Sequence, residues 1–201
     1  MNDAPVRENS IRSVAIGVAI ATAAAAGIVW YATSAGVGLL SDDSFLYADL
    51  AMDLRSGRAL SSIAVPPGFP SMLALGADPF AAARVLNILA IMILTALVGG
   101  AVWWSTHKAA PAIFAAALVS VAKPLLVVHA MLLSEPLALV LGTAGLWLTL
   151  IALDDDRPAW WYAAALALGL SVMMRYAAVV YPATAVIYVA WQRRWRRAAS
   201  P

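Results

Sequence analysis

From Ser13 to Ser41 the sequence carries no charged side chain. At about 1.5 Å of rise per helical residue, that run outreaches the roughly 30 Å of bilayer hydrocarbon. In such a solvent every backbone N–H and C=O must be satisfied inside the protein, which leaves helices as the spanning structure for a chain of this kind. A second charge-free run extends from Val85 to Thr106, headed by Arg84 and closed by His107-Lys108. From Ala109 to Leu153 the chain stays apolar for twice a span's length, interrupted by Lys123-Pro124, His129 and Ser134-Glu135-Pro136. Proline disfavours helix in the residue before it, so a turn is expected between Lys123 and Glu135, with a span on either side. Ala159–Met174 and Ala177–Gln192 are two further apolar segments, parted by Arg175-Tyr176. They read as a hairpin, because an arginine in mid-bilayer is costly. The expected fold is an all-α polytopic membrane protein with spans over 13–40, 81–106, 109–124, 134–153, 158–175 and 177–192. A loop over 41–78 carries an amphipathic helix, and a basic tail fills 193–201.

The first apolar run is far longer than the roughly 7 to 15 residues of a secretory signal core, so it reads as a retained anchor. Composition agrees: 63% of the 201 residues are hydrophobic and 12% are charged, against about 25% charged in soluble proteins. Cysteine is absent, which excludes disulfides, a thiolate nucleophile and cysteine metal sites. The formal charge of +2 is a local excess at the C-terminus, WQRRWRR, and implies no nucleic-acid partner. That tail suits a stop signal facing anionic lipid, and Trp103-Trp104, Trp160-Trp161 and Trp191 with Trp195 suit an aromatic belt. With both termini on one side, Arg7, Arg12, Lys108, Arg157 and the tail arginines share it. The positive-inside rule then makes the termini cytoplasmic, and a bacterial plasma membrane fits. No internal repeat of the kind that builds transporters is present.

The stretch LSDDSFLYADLAMDLRSGRALSSIAVPPGFPSMLAL, Leu40 to Leu75, is where the chain departs from hydrocarbon. Ser41 can cap a helix whose first turn places Asp42 and Asp43 on the positive dipole end. Leu46, Tyr47, Leu50, Ala51 and Leu54 recur at helical spacing, with Asp42, Asp49 and Asp53 on or near the other face. Ser56-Gly57 stops the helix, and Pro66-Pro67-Gly68-Phe69-Pro70 forces a rigid turn. Such a helix is expected to lie in the bilayer interface, apolar side down, followed by a second short surface helix over Ser71–Leu75. Asp78-Pro79 can start the next long helix.

Under this topology three sequence-distant sets meet at the outer surface: the loop carboxylates, Lys123 with His129 and Glu135, and Arg84 with Arg175. A carboxylate beside an acceptor hydroxyl can act as general base, while lysine and arginine can hold a departing phosphate. Each residue also has a plain structural role. Asp42 or Asp43 fits a capping function, and Asp49 and Asp53 fit a solvated face paired with Arg55 or Arg58. Ser134 and Glu135 fit an N-cap and a first-turn acid. Lys123 and Arg175 suit snorkelling to headgroups, and a lone His129 is more often structural than catalytic.

The order of elements resembles the N-terminal half of a GT-C fold glycosyltransferase, the superfamily of protein O-mannosyltransferases and aminoarabinose transferases. The matching segments are a first span, SDDSFLYADLAMDLRSGRAL, PPGFPSMLAL, AARVLNILAIMILTAL, LLSEPLALVL and GLSVMMRYAAVVYPA, together covering about Ser13 to Arg194. The resemblance implies an enzyme that transfers a sugar from a polyprenyl-phosphate-sugar donor to an extracytoplasmic acceptor. It implies an acidic first-loop residue as base, which carries over to Asp42 or Asp43, with Asp42 the first choice. Arg175 takes the place of an arginine near the outer end of a later span, with Lys123, Glu135 and Arg84 as further substrate-binding candidates. The residues that follow that arginine in the family, a proline and an acid, are here Tyr176 and Ala177.

No cofactor is required by the residues. Some members use a divalent cation and others do not, so Asp42 with Asp43 leaves metal dependence open. Such enzymes usually continue through further spans. The resemblance therefore implies a fragment, a short homologue whose missing half comes from a partner membrane protein, or a relic. The alternative is a noncatalytic membrane subunit that binds lipid or a partner protein. A small transporter or flippase ranks lower.

Overall fold

The computed structural model describes residues 4–34, 40–58, 65–155 and 157–199, and for 4–9 and 193–199 the backbone alone. The described residues are helical throughout: α1 (Ala4–Ser34), α2 (Asp42–Arg55), α3 (Gly68–Ala74), α4 (Pro79–Thr106), α5 (Ala109–Val121), α6 (Lys123–Ala130), α7 (Glu135–Asp154), α8 (Pro158–Met174), a 3-10 turn (Tyr176–Val179) and α9 (Val180–Ala199). Residues 35–39, over which the first span was expected to continue, and the arginine side chains of the basic tail lie outside the described residues. Among the described residues three helical stretches are long and apolar enough to cross a bilayer: Ser10–Ser34, α4 and α7. A fourth crossing is made if α5 and α6 count as one span, bent by 52° at Ala122. At 17 residues α8 is a shorter apolar helix.

Helix ends follow local chemistry. The Asp78 carboxylate accepts from the Phe80 N–H at 2.9 Å, and Pro79 occupies the first turn of α4, where its missing donor costs nothing. The Ser41 N–H donates to Ser44 Oγ at 3.1 Å, the return half of a capping box opening α2. Gly57, at φ 76°, closes that helix in the left-handed conformation that glycine adopts without a Cβ clash. The chain from Lys123 onward is helical to Ala130, so the turn expected between Lys123 and Glu135 is confined to residues 131–134.

Two apolar clusters hold the helices together. Ala25 and Val29 of α1, Ala90, Ile91 and Leu94 of α4, Val119 of α5 and Val140 of α7 form one. The other gathers Tyr47 and Ala51 of α2, Phe69 and Leu73 of α3, Ala83, Leu132, Leu133, Ala138, Met174 and Ala178. Around this second cluster α2 buries Tyr47, Ala48, Leu50 and Ala51, and α3 buries Phe69, Pro70 and Leu73, while Phe45, Met52 and Leu75 stay exposed.

Close backbone approach fixes α3. A Cβ on Gly68 would sit 2.5 Å from the Met173 carbonyl oxygen, so this contact tolerates no side chain. Gly145 plays a similar part between α7 and α8, where a Cβ would lie 2.6 Å from Leu168 Cγ. Substituting Gly68→Ala is expected to destabilise the chain by about 1–3 kcal/mol through backbone displacement. A lower unfolding temperature in detergent, with Gly27→Ala not lowered because nothing lies near its Cβ position and alanine is the better helix former, checks this.

Candidate functional site

The site begins with a hydroxyl on an apolar face. Tyr47 stands one helical turn after Asp43, so the two share a side of α2, and its ring packs edge-on against Phe69 at 5.0 Å. The phenol meets the buried Ser134 Oγ, 3.0 Å away, across 87 residues of sequence. Ser134 therefore does not cap α7 with its side chain, as its place before Glu135-Pro136 suggests. Its hydroxyl is spent on Tyr47 instead.

The next residue, Glu135, opens α7 and pairs with Arg175, with Oε1 2.6 Å from Nη1. Arg175 occupies an extended residue, φ −154° and ψ 125°, between the end of α8 and the 3-10 turn. The extended backbone turns its side chain away from the α8 helical register. The pair is partly shielded, with side-chain exposures of 25% for Glu135 and 36% for Arg175. The second carboxylate oxygen of Glu135, Oε2, is buried and has no hydrogen-bond partner among the described residues.

Electrostatics tie these groups to α2. Burial pushes the Tyr47 phenol above its ordinary 10.0, the Ser134 hydrogen bond opposes the rise, and the charges of Glu135, Arg175 and Asp43 are all felt at its oxygen. Asp43, Tyr47, Ser134, Glu135 and Arg175 thus form one neighbourhood drawn from three distant parts of the chain. Asp42 and Asp43 are both exposed, and Asp42 points about 100° around the helix from Asp43.

The other candidates stand apart. Lys123 is exposed at the break between α5 and α6, and no ion pair joins it to a described residue. Arg84 stacks over Trp30, 3.9 Å from the ring centroid, in a cavity that none of the five neighbourhood residues lines. His129 is buried, with Nδ1 2.7 Å from the Leu125 carbonyl, in keeping with a structural role. Asp53 pairs with Arg58 at 2.6 Å on the exposed side of α2, as a solvated face would. Arg55 instead donates to the Ala77 carbonyl and ties the end of α2 to the start of α4. Among the described residues no three His, Asp or Glu side chains gather as a metal site.

Residues 65–201, more than half of the chain, match the family model of dolichyl-phosphate-mannose-protein mannosyltransferases. The chain belongs to that family. The family makes it a membrane glycosyltransferase of the GT-C type. The match begins at Val65, so it takes in Ser134, Glu135 and Arg175 while Asp43 and Tyr47 precede it. No match is found among curated proteins or solved structures.

Sequence reading missed Tyr47 and Ser134 as members of the site. The available signal was a hydroxyl in the buried stripe of α2, a placement that requires a polar partner. Tyr47→Phe removes one buried hydrogen bond and is expected to cost about 1 kcal/mol. Because the folded chain holds the phenolic proton above pH 10.0, the Tyr47 contribution is intact below that value and is lost as pH rises through the higher folded pKa. Unfolding curves should show wild type losing its advantage over Tyr47→Phe in that alkaline range.

Proposed function

We propose that the chain transfers a sugar from a polyprenyl-phosphate donor to a hydroxyl acceptor on the extracytoplasmic side, with Asp43 as general base and Arg175 as the contact for the donor phosphate. The observation that carries this reading is the Glu135–Arg175 pair beside the α2 face that bears Asp43. In the reaction the acceptor oxygen attacks the anomeric carbon while the Asp43 carboxylate takes its proton. The anomeric carbon–oxygen bond breaks, and its electron pair leaves on the polyprenyl phosphate. Arg175 meets the charge of that phosphate with guanidinium N–H groups not engaged by Glu135.

Glu135 is a positioning residue in this scheme. One oxygen holds the guanidinium, and the unpartnered Oε2 supplies an acceptor for a sugar hydroxyl. Tyr47, held neutral by burial, adds no competing charge at neutral pH. Dolichyl-phosphate mannose, for which the family is named, supports a lipid-phosphate sugar as the donor class. Asp43 replaces Asp42 as the preferred base because only Asp43 shares the Tyr47 face.

With a radiolabelled polyprenyl-phosphate sugar and the purified chain, Asp43→Asn is expected to reduce transfer by about 10²- to 10⁴-fold, with Asp42→Asn close to wild type and both variants folded. Equal losses in the two variants would remove the assignment of the base. The orientation is tested separately. The native chain has no cysteine, so Ser56→Cys, exposed at the end of α2, should react with a membrane-impermeant maleimide added outside intact cells. Labelling only after lysis would place the loop on the other side.

A further inference from the structure

Arg84 is on the second turn of α4, with its guanidinium stacked on Trp30. Its Nε and Nη2 are buried and have no hydrogen-bond partner among the described residues. One turn further on, Asn87 is 2% exposed. Its Nδ2 donates to the Met131 carbonyl, while Oδ1 is buried and unpartnered. A buried guanidinium N–H and a buried amide oxygen left without partners are each costly, so a ligand that reaches both would be favoured. Both residues line a cavity of about 400 Å³, far more than a single water needs and within the range of small-molecule sites.

The lining is divided by chemistry. Arg84 offers cationic donors suited to a phosphate. Asn87 Oδ1 is an acceptor, and Asp78, also on the wall, adds a negative charge at the α4 cap. A simple anion uses only the first of these. A phosphate with an ammonium group close by uses all three. Leu40, Phe80 and Leu132 supply apolar lining, and Leu40, Phe80, Trp30 and Tyr31 are all exposed, with Trp30 under Arg84 joining this end of α1 to the start of α4. Exposed aromatic and aliphatic side chains at a helix end are what the headgroup level of a bilayer favours.

We propose that this cavity binds the headgroup of a phosphoethanolamine lipid from the leaflet on the α2 side, with its phosphate on Arg84 and its ammonium between Asn87 and Asp78. The site is separate from the Glu135–Arg175 neighbourhood and does not rest on the proposed transfer reaction.

Native mass spectrometry of the delipidated full chain tests it, with phosphatidylethanolamine, phosphatidylcholine and soluble glycerophosphoethanolamine as probes. One phosphatidylethanolamine is expected to be retained about tenfold more tightly than phosphatidylcholine, which shares the phosphate but has no ammonium N–H. Arg84→Gln should weaken both lipids by about tenfold. Asp78→Asn preserves a helix cap and should narrow the preference between the lipids, so the test survives if Arg84→Gln fails to fold. Equal retention of the two lipids in wild type, or an unchanged preference in Asp78→Asn, overturns the proposal. Binding of glycerophosphoethanolamine as tight as that of the lipid would assign the site to a soluble headgroup and overturn the lipid as its source.

Discussion

Hydrocarbon permits a backbone only where each peptide group finds a partner, and that constraint arranges this chain more than any single contact does. Helices carry it through the apolar regions, and among the described residues irregular backbone falls at the joints between them, including residues 131–134, the extended Arg175 and the ends of α2 and α3. Polar chemistry collects at the same joints. Ser134 and Glu135 adjoin one, Arg175 forms another, and Tyr47 reaches to the first from α2. The places where a helix must stop are the places where this protein gathers its hydroxyl and charged pairs.

The relation of α2 and α3 to the spans follows from packing. Phe69, Leu73 and Met174 close one core between the first loop and the end of α8. That core carries the Asp43 face to the Glu135–Arg175 pair.

Much of this was legible in the sequence because it depends on neighbours along the chain. Asp78-Pro79, Ser41 and Gly57 mark helix boundaries by local chemistry, and the Val85–Thr106 run makes α4 apolar. The expectation was that the loop carboxylates, Lys123 with His129 and Glu135, and Arg84 with Arg175 would converge; of these, Glu135 and Arg175 form an ion pair. What could not be read was rotation about each helix axis. Arg84 and Lys123 are near the right ends or breaks, but packing turns Arg84 toward Trp30 and leaves Lys123 exposed at a bend. Likewise Asp42 and Asp43 are equivalent as caps and differ only once Tyr47 has a partner 87 residues away.

The missing side chain at Gly68 has a mechanical meaning. Its contact with the Met173 carbonyl fastens the first loop to the residue two before Arg175. The two walls of the neighbourhood are thereby riveted near their base, and opening it by lifting the loop would tear that seam. Entry by sideways sliding out of the bilayer leaves the seam whole, a route that suits a long-tailed lipid better than a soluble nucleotide sugar.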